Sequence, residues 1–409
     1  MSAKDDSALE RAILKIKPNK KIVALAVGGL ILVGTAALRE ARHRELISRM
    51  DDLMSCAAAA IEERSLDSTS PKVGIAMSTS GRKLAGHVAA YECLENRFDL
   101  YSNGNRIEFI GMSGGAEIGA IIKLSHQMYL ENPDAFGGRT PAERTKKLLL
   151  ESQNVLRLNN PAAALTNGMI DRRSIEEFLK RIFDERNFND IPDLYIVAKT
   201  SSTGRYIVFG DHVKNFPVWR AIMGAFGHRG IINREPFGGD LLEDAGGERK
   251  IPLEEIYSHK YLTHRILIYL GMHTDAELYQ VEGNPFCELG PHTDGFKGRA
   301  SNYAKSRILN RDATSSRERM LRTKEEFIRS LKQNNCRELD DILECLQDDV
   351  IVVAPRHEFV PYLGNGFPIN GLYELNYAAA DATLDSYFGR RPGQSTFGNI
   401  SLRPPVKIH

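Results

Sequence analysis

Short apolar runs alternate with longer segments of mixed polarity through most of the chain, the pattern of strands exchanging with helices. Val73 to Met77, Phe109 to Gly111, Leu194 to Ala198, Tyr206 to Phe209, Arg265 to Leu270 and Val350 to Ala354 read as buried strands. Ser174 to Ile182 and Arg317 to Lys332 carry helical spacing between them. Thr200 to Gly204 is a turn between two of the strands, which predicts a β-hairpin. The fold class is α/β. Gly290 to Gly298 reads as a loop and Arg390 to His409 as an irregular tail.

One segment departs from this pattern. Ile22 to Leu38 carries no charge and is bounded by Lys20-Lys21 and by Arg39, Arg42 and Arg44. A helix of that length reaches roughly 26 Å against a hydrocarbon core of about 30 Å, so it sits at the short end of spanning segments. Three readings stand: a single-pass anchor, a cleaved targeting segment ending near Gly34 to Ala37, and a buried or membrane-inserted helix. A helical pattern then continues from Ala36 to Arg64, with Leu46, Ile47, Met50, Leu53, Met54 and Ala57 on one face. The expected organisation is a polar segment 1–21, an anchor 22–38, a helical stalk and linker 39–71, a catalytic domain 72–387 and a tail 388–409.

Charge and cysteine content narrow the function classes. The 54 Lys and Arg residues balance 53 Asp and Glu, so no global field recruits nucleic acid. Cys56, Cys93, Cys287, Cys336 and Cys345 are odd in number and widely spaced, which argues for reduced thiols rather than a disulfide framework or a metal site.

The chemistry concentrates at two strand-to-helix turns. Phe109-Ile110-Gly111-Met112-Ser113-Gly114-Gly115-Ala116 is a strand running into Gly-x-Ser-x-Gly and then a small-residue helix. That context makes a nucleophile elbow, in which Gly111 and Gly115 let the chain turn sharply and present the Ser113 hydroxyl at the sheet edge. Upstream, Val73 to Met77 feeds Ser78-Thr79-Ser80-Gly81-Arg82-Lys83 and a helix carrying His87 and Leu94. Backbone N–H groups at such a helix start suit an oxyanion or a phosphate; a plain connecting loop is the alternative.

Ser113 needs a base. A Ser-His-acid triad fits poorly, because only one or two strands precede the elbow and no His-Gly-Gly-Gly segment is present. Asp244 stands out, following a short apolar pair and preceding the tight turn Ala245-Gly246-Gly247.

Taken in order, these segments resemble the patatin-like phospholipases, lipid acyl hydrolases with a Ser-Asp dyad on an α/β fold. The likeness runs through Ala76 to Glu95, Gly111 to Gly115, Asn167 to Asp171, Ile196 to Gly204, Val218 to Ile222, Asp244 to Gly247 with Pro252, and Glu374 to Ala379. It implies a three-layer sandwich with a central, mostly parallel sheet and no cofactor or metal. It makes Ser113 the nucleophile and Asp244 the base, places Thr79, Ser80, Gly81 and Lys83 in the oxyanion hole, and makes Ala245-Gly246 the Asp-Gly turn. His87 is then structural, with His212, His228 and His259 ranking lower. Asp294 of Asp294-Gly295 is the rival base, though it lacks a preceding strand.

Two departures from the family pattern matter. The oxyanion loop, usually Gly-Gly-Gly-x-Arg-Gly, reads Thr79-Ser80-Gly81-Arg82-Lys83-Leu84, and Gly224 to Ile231 replaces an Ala-Ser-x-Ala-x-Pro segment. The expected partner is a phospholipid or other acyl-lipid at a membrane, and the expected activity is phospholipase A-like hydrolysis. A catalytically silent lipid-binding protein and a transacylase are the competing readings. Asn132 to Asn160, charged and carrying Leu148 to Leu150, reads either as a cap over the lipid site or as a surface insertion.

Overall fold

The computed structural model describes residues 40–53, 55, 71–80, 83–101, 105–137, 139–155, 170–228, 231–247, 251–270, 350–353, 369–389 and 391–403. Contacts divide the chain into Met1–Asp52 and Leu53–His409. In the first unit residues 40–52 are helical, supported by the i,i+4 pairs Glu40–Arg44 and Glu45–Arg49. The anchor expected at 22–38 lies outside the described residues, as do the helix expected at 317–332 and Asp294. Among the described residues no helix is long and apolar enough to cross a membrane.

The second unit is built on one eight-stranded sheet. Its strands are β1 (Val73–Met77), β2 (Ile107–Met112), β3 (Leu194–Thr200), β4 (Tyr206–Phe209), β5 (Glu235–Phe237), β6 (Asp240–Glu243), β7 (His264–Ile268) and β8 (Val350–Val353). The order is β5-β6-β3-β2-β1-β7-β8, with β4 also paired to β3. The five strands from β3 to β8 run parallel, and β4, β5 and β6 form antiparallel pairs at one side. β3 and β4 are the hairpin the sequence predicts.

Alternation along β1 shows why helices cover both faces. A Cβ on Gly74 would meet Leu262 and Ile256, so even positions face the short helix Leu253–Ser258; Met77 faces Gly119 on the elbow helix. Strands covered twice need no polar side, which explains the unbroken apolar runs. The elements are α/β in three layers, with a central, mostly parallel sheet.

Among the described residues, the helices of the second unit are α1 (Leu84–Arg97), α2 (Gly114–Glu131), α3 (Pro141–Val155), α4 (Arg172–Phe183), α5 (Val218–Phe226), α6 (Leu253–Ser258) and α7 (Ile369–Gly389). α7 lies along α1, where a Cβ on Gly86 would meet Asn376 at 2.9 Å, and Arg97 clamps the pair through Asp381 at 2.6 Å and Asp385 at 2.8 Å. The expected cap, as far as it is described, is a short 3-10 turn Pro133–Phe136 followed by α3.

The tail is not irregular. Thr396–Phe397 and Ile400–Ser401 form a two-stranded ribbon around Gly398 at φ 61°, and Phe397 and Ile400 are buried. Ser401 and Arg97 carbonyls accept from Asp99 and Arg403 amides, so the ribbon is tied to the end of α1. Burial of two large apolar side chains is what orders it.

Candidate active site

β2 delivers Ser113 to the end of the sheet next to the end of β1. Ser113 itself takes the strained conformation, with φ 51° and ψ −129°, and its carbonyl accepts from the Ala116 amide at 2.9 Å as α2 begins. Such a backbone typically costs about 1–3 kcal/mol in a non-glycine residue and persists only where neighbours over-determine it. Those neighbours are packed against Gly111 and Gly115. Neither glycine has a positive φ; instead a Cβ on Gly111 would lie 2.4 Å from the Gly115 carbonyl oxygen, and one on Gly115 would lie 2.5 Å from the carbonyl oxygens of Met77 and Ser78. The sequence expectation is thereby corrected: the glycines serve close approach, and the turn sits on the serine. Gly115→Ala, pressing on backbone that cannot move aside, is expected to destabilise by about 1–3 kcal/mol, read as a lower urea midpoint.

Asp244 arrives from the other side of the sheet. The β5–β6 hairpin turns through Gly238 and Gly239, at φ 55° and 88°, and β6 runs antiparallel to β3 with Glu243 opposite Lys199. That direction brings the chain back toward the level of Ser113, since Met112 pairs with Val197. The Asp244 amide donates to the Gly227 carbonyl at 2.6 Å, Oδ1 accepts from the Gly246 amide at 2.7 Å, and Oδ2 accepts from Ser113 Oγ at 2.7 Å. Ser113 is only 4% exposed, so the bond is shielded from water on most sides. Ala245 is buried and Gly246 is confined: a Cβ there would strike Thr79 Cγ2 at 2.4 Å.

The contact through Gly246 sets the β1–α1 loop beside the dyad. Thr79 and Ser80 are buried, and neither their amides nor their hydroxyls have a hydrogen-bond partner among the described residues. Donors without a partner among the described residues, in a buried loop, suit an incoming acceptor, because unmatched polar groups cost about 1–3 kcal/mol each. The Lys83 amide, by contrast, donates to the Ser80 carbonyl at 2.9 Å, which withdraws it from the expected donor set. Gly81 lies outside the described residues. His87 supports the loop: it is fully buried, burial drives its pKa down to about 3, and the neutral ring meets the Ser78 carbonyl through Nε2 at 3.0 Å.

Two features here escape a reading of the sequence. Gly227, within the segment that departs from the family pattern, anchors the Asp244 amide, and Gly224 and Gly227 both press on Leu242 of the strand that carries it. Glu117, one helical turn beyond Ser113, is buried, and burial raises its carboxyl pKa to about 7. A Glu inside Gly-Gly-Ala-Glu-Ile-Gly, otherwise small and apolar, was the available signal.

His259 lies at the opposite end of the sheet. Its Nδ1 meets Glu108 Oε1 and its Nε2 meets Asp211 Oδ2 at 2.6 Å, while the Tyr261 hydroxyl donates to Glu108 Oε2 at 2.7 Å. His212 accepts from the Val208 amide at 2.8 Å through Nδ1. Neither histidine is positioned by a strand end that reaches Ser113.

No protein-family model matches this sequence, and no curated protein does. Among solved structures, the crystal structure of VipD from Legionella pneumophila is similar at a TM-score of 0.36 and 10% identity, covering 78% of this chain and 68% of that one. At that score no feature of the site is transferred, and the chemistry rests on the geometry above.

Proposed function

We propose that the chain is a serine-dependent lipid acyl hydrolase of the patatin-like type, cleaving fatty acyl esters in the manner of a phospholipase A. The observation that carries this reading is the 2.7 Å bond from Ser113 Oγ to Asp244 Oδ2, made by a serine on a strained strand-to-helix turn. Ser113 Oγ attacks the ester carbonyl carbon as its proton passes to Asp244. The carbonyl oxygen becomes an oxyanion, which the unpaired donors of Thr79 and Ser80 stabilise. Collapse of the tetrahedral species expels the alcohol, which takes the proton from Asp244 and leaves an acyl-enzyme. Water, deprotonated by Asp244, then attacks the acyl carbonyl; the bond to Ser113 Oγ breaks, Oγ takes the proton back from Asp244, and the fatty acid departs. An alcohol in place of that water makes the same site a transacylase. The substrate partner is an acyl-lipid at a membrane, to which a segment 22–38 in the bilayer tethers the chain.

The loss of three of the four loop glycines, at Thr79, Ser80 and Leu84, favours a second reading, a silent site that only binds lipid. A fluorophosphonate probe separates the two, because phosphonylation uses the same activated hydroxyl and anion stabilisation. The natural protein is expected to label at Ser113. Thr79→Val with Ser80→Ala, which removes both hydroxyls and keeps both amides, is expected to slow labelling by roughly 10²-fold. An unchanged rate assigns stabilisation to the amides alone. If neither the natural protein nor Thr79→Gly with Ser80→Gly labels, yet both bind lipid vesicles, the binding reading prevails.

A further inference from the structure

Away from the dyad, α2, the 3-10 turn Pro133–Phe136 and α3 enclose a concavity of about 250 Å³ with an unusual charge balance. Its apolar floor includes Met128, Phe136 and Leu148, and its rim carries Arg139, Arg144 and Lys147. The acid on its lining, Glu151, is already engaged by Arg181 at 2.9 Å.

Several arginines elsewhere are neutralised: Arg97 by Asp381 and Asp385, Arg106 by Asp193, Arg172 and Arg220 by Glu235. No carboxylate among the described residues pairs with Arg139, Arg144 or Lys147. Arg144 is half-buried, and its side chain donates to Ser125 Oγ at 2.5 Å; that hydroxyl in turn donates to the Ile121 carbonyl at 2.7 Å. Burial, and then the neighbouring Arg186 guanidinium, both push the Arg144 pKa down. Among the described residues the Arg186 guanidinium meets the Phe183 carbonyl, at 3.4 Å, and no carboxylate. A partly desolvated guanidinium held by a neutral hydroxyl and repelled by a second guanidinium favours an anion beside it.

The surroundings indicate what brings the anion. Leu130 and Leu150 are 48% and 44% exposed, the large hydrophobic side chains most open to solvent among the described residues. Leu130 lies on α2 and Leu150 on α3, the two helices whose Met128 and Leu148 line the concavity. Cations around an apolar floor, flanked by exposed leucines on the same two helices, match a phosphate-rich surface with hydrocarbon beneath it.

We propose that the α2–α3 face docks on anionic phospholipid bilayers, with lipid phosphates seated among Arg139, Arg144 and Lys147 and with Leu130 and Leu150 entering the interface. Planar guanidinium groups suit phosphate oxygens, and removing one basic residue near such a surface weakens binding about fivefold. The docking does not depend on the esterase reading, because it is measured by binding.

The experiment is co-sedimentation of the full chain with phosphatidic acid vesicles and with phosphatidylcholine vesicles. Any anchor at 22–38 contributes to both vesicle types and to every variant, so the difference between vesicles isolates this face. The natural chain is expected to favour the anionic vesicles, and added salt to reduce that preference. Arg139→Glu with Lys147→Glu, both exposed in the fold, is expected to lower anionic-vesicle binding by at least about tenfold. Leu130→Ser with Leu150→Ser is expected to weaken it while keeping the salt dependence. Circular dichroism confirms that the variants fold. Equal binding of natural and charge-reversed chains to anionic vesicles overturns the proposal. So does competition of inorganic phosphate for the site without any preference for anionic vesicles, which assigns the concavity to a soluble phosphate.

Discussion

Ser113→Ala and Asp244→Asn are each expected to lower ester hydrolysis by about 10⁴-fold or more, and the double variant to be little worse than either alone. The two groups act in one proton transfer, so removing the second after the first has little left to remove. Asn at 244 keeps Oδ1 to accept from the Gly246 amide, so the turn Ala245–Gly247 should keep its shape, while its NH2 group replaces the oxygen that faces Ser113. What it cannot do is take the proton. Hydrolysis of a short-chain ester, fluorophosphonate labelling and urea unfolding together read the outcome, with unfolding midpoints expected to move far less than the rates. Asp294→Asn is expected to retain full activity. The base is misassigned if Asp294→Asn is inactive while Asp244→Asn still turns over.

The second large effect is on stability. Burial alone lowers the His259 pKa, yet the carboxylates of Glu108 and Asp211 outweigh burial and raise it to about 10. The folded chain therefore holds the imidazolium with both N–H groups donating, one to each carboxylate. A histidine whose folded pKa lies above its unfolded value of 6.5 contributes stability that is complete below that value. The contribution fades as pH rises and is gone once pH passes the folded pKa. Stability should accordingly fall between about pH 6.5 and 10, measurable as a declining urea midpoint. His259→Leu strands two buried carboxylates, and breaking a buried pair this way costs about 3–5 kcal/mol near neutral pH. The gap between variant and natural chain should narrow toward pH 10. Glu108→Gln, Asp211→Asn and His259→Leu combined should recover much of the loss, since no buried charge is left uncompensated. A natural midpoint that is flat across this range contradicts the charged state assigned to His259.

Several failures of sequence reading had a usable signal. Glu108 sits in the middle of an apolar strand, which demands a buried cation, although nothing local points to His259, 151 residues away. Phe397-Gly398-Asn399-Ile400 is a two-residue hairpin loop between apolar residues, and that pattern outweighs the polar composition of the tail. Gly115 drew attention as a source of backbone freedom, whereas its role is to admit the Met77 and Ser78 carbonyls.

The sequence by itself determined what depends on neighbours along the chain. Val73 to Met77 begins and ends as its apolar run does, the hairpin of β3 and β4 follows from its turn residues, and Ser113 stands out because strand, Gly-x-Ser-x-Gly and helix follow one another within a few residues. Periodicity and turn chemistry act over that range, so they can be read there. The tertiary structure decided what depends on groups meeting across the fold. It selected which carboxylate faces Ser113 across 131 residues, left the Thr79 and Ser80 donors without partners among the described residues, and set Gly227 and Gly246 where only a missing Cβ lets the segments close. Those outcomes turn on tenths of an ångström in packing and on the direction in which β6 returns beside β3, and neither quantity is carried by the residues of any one segment.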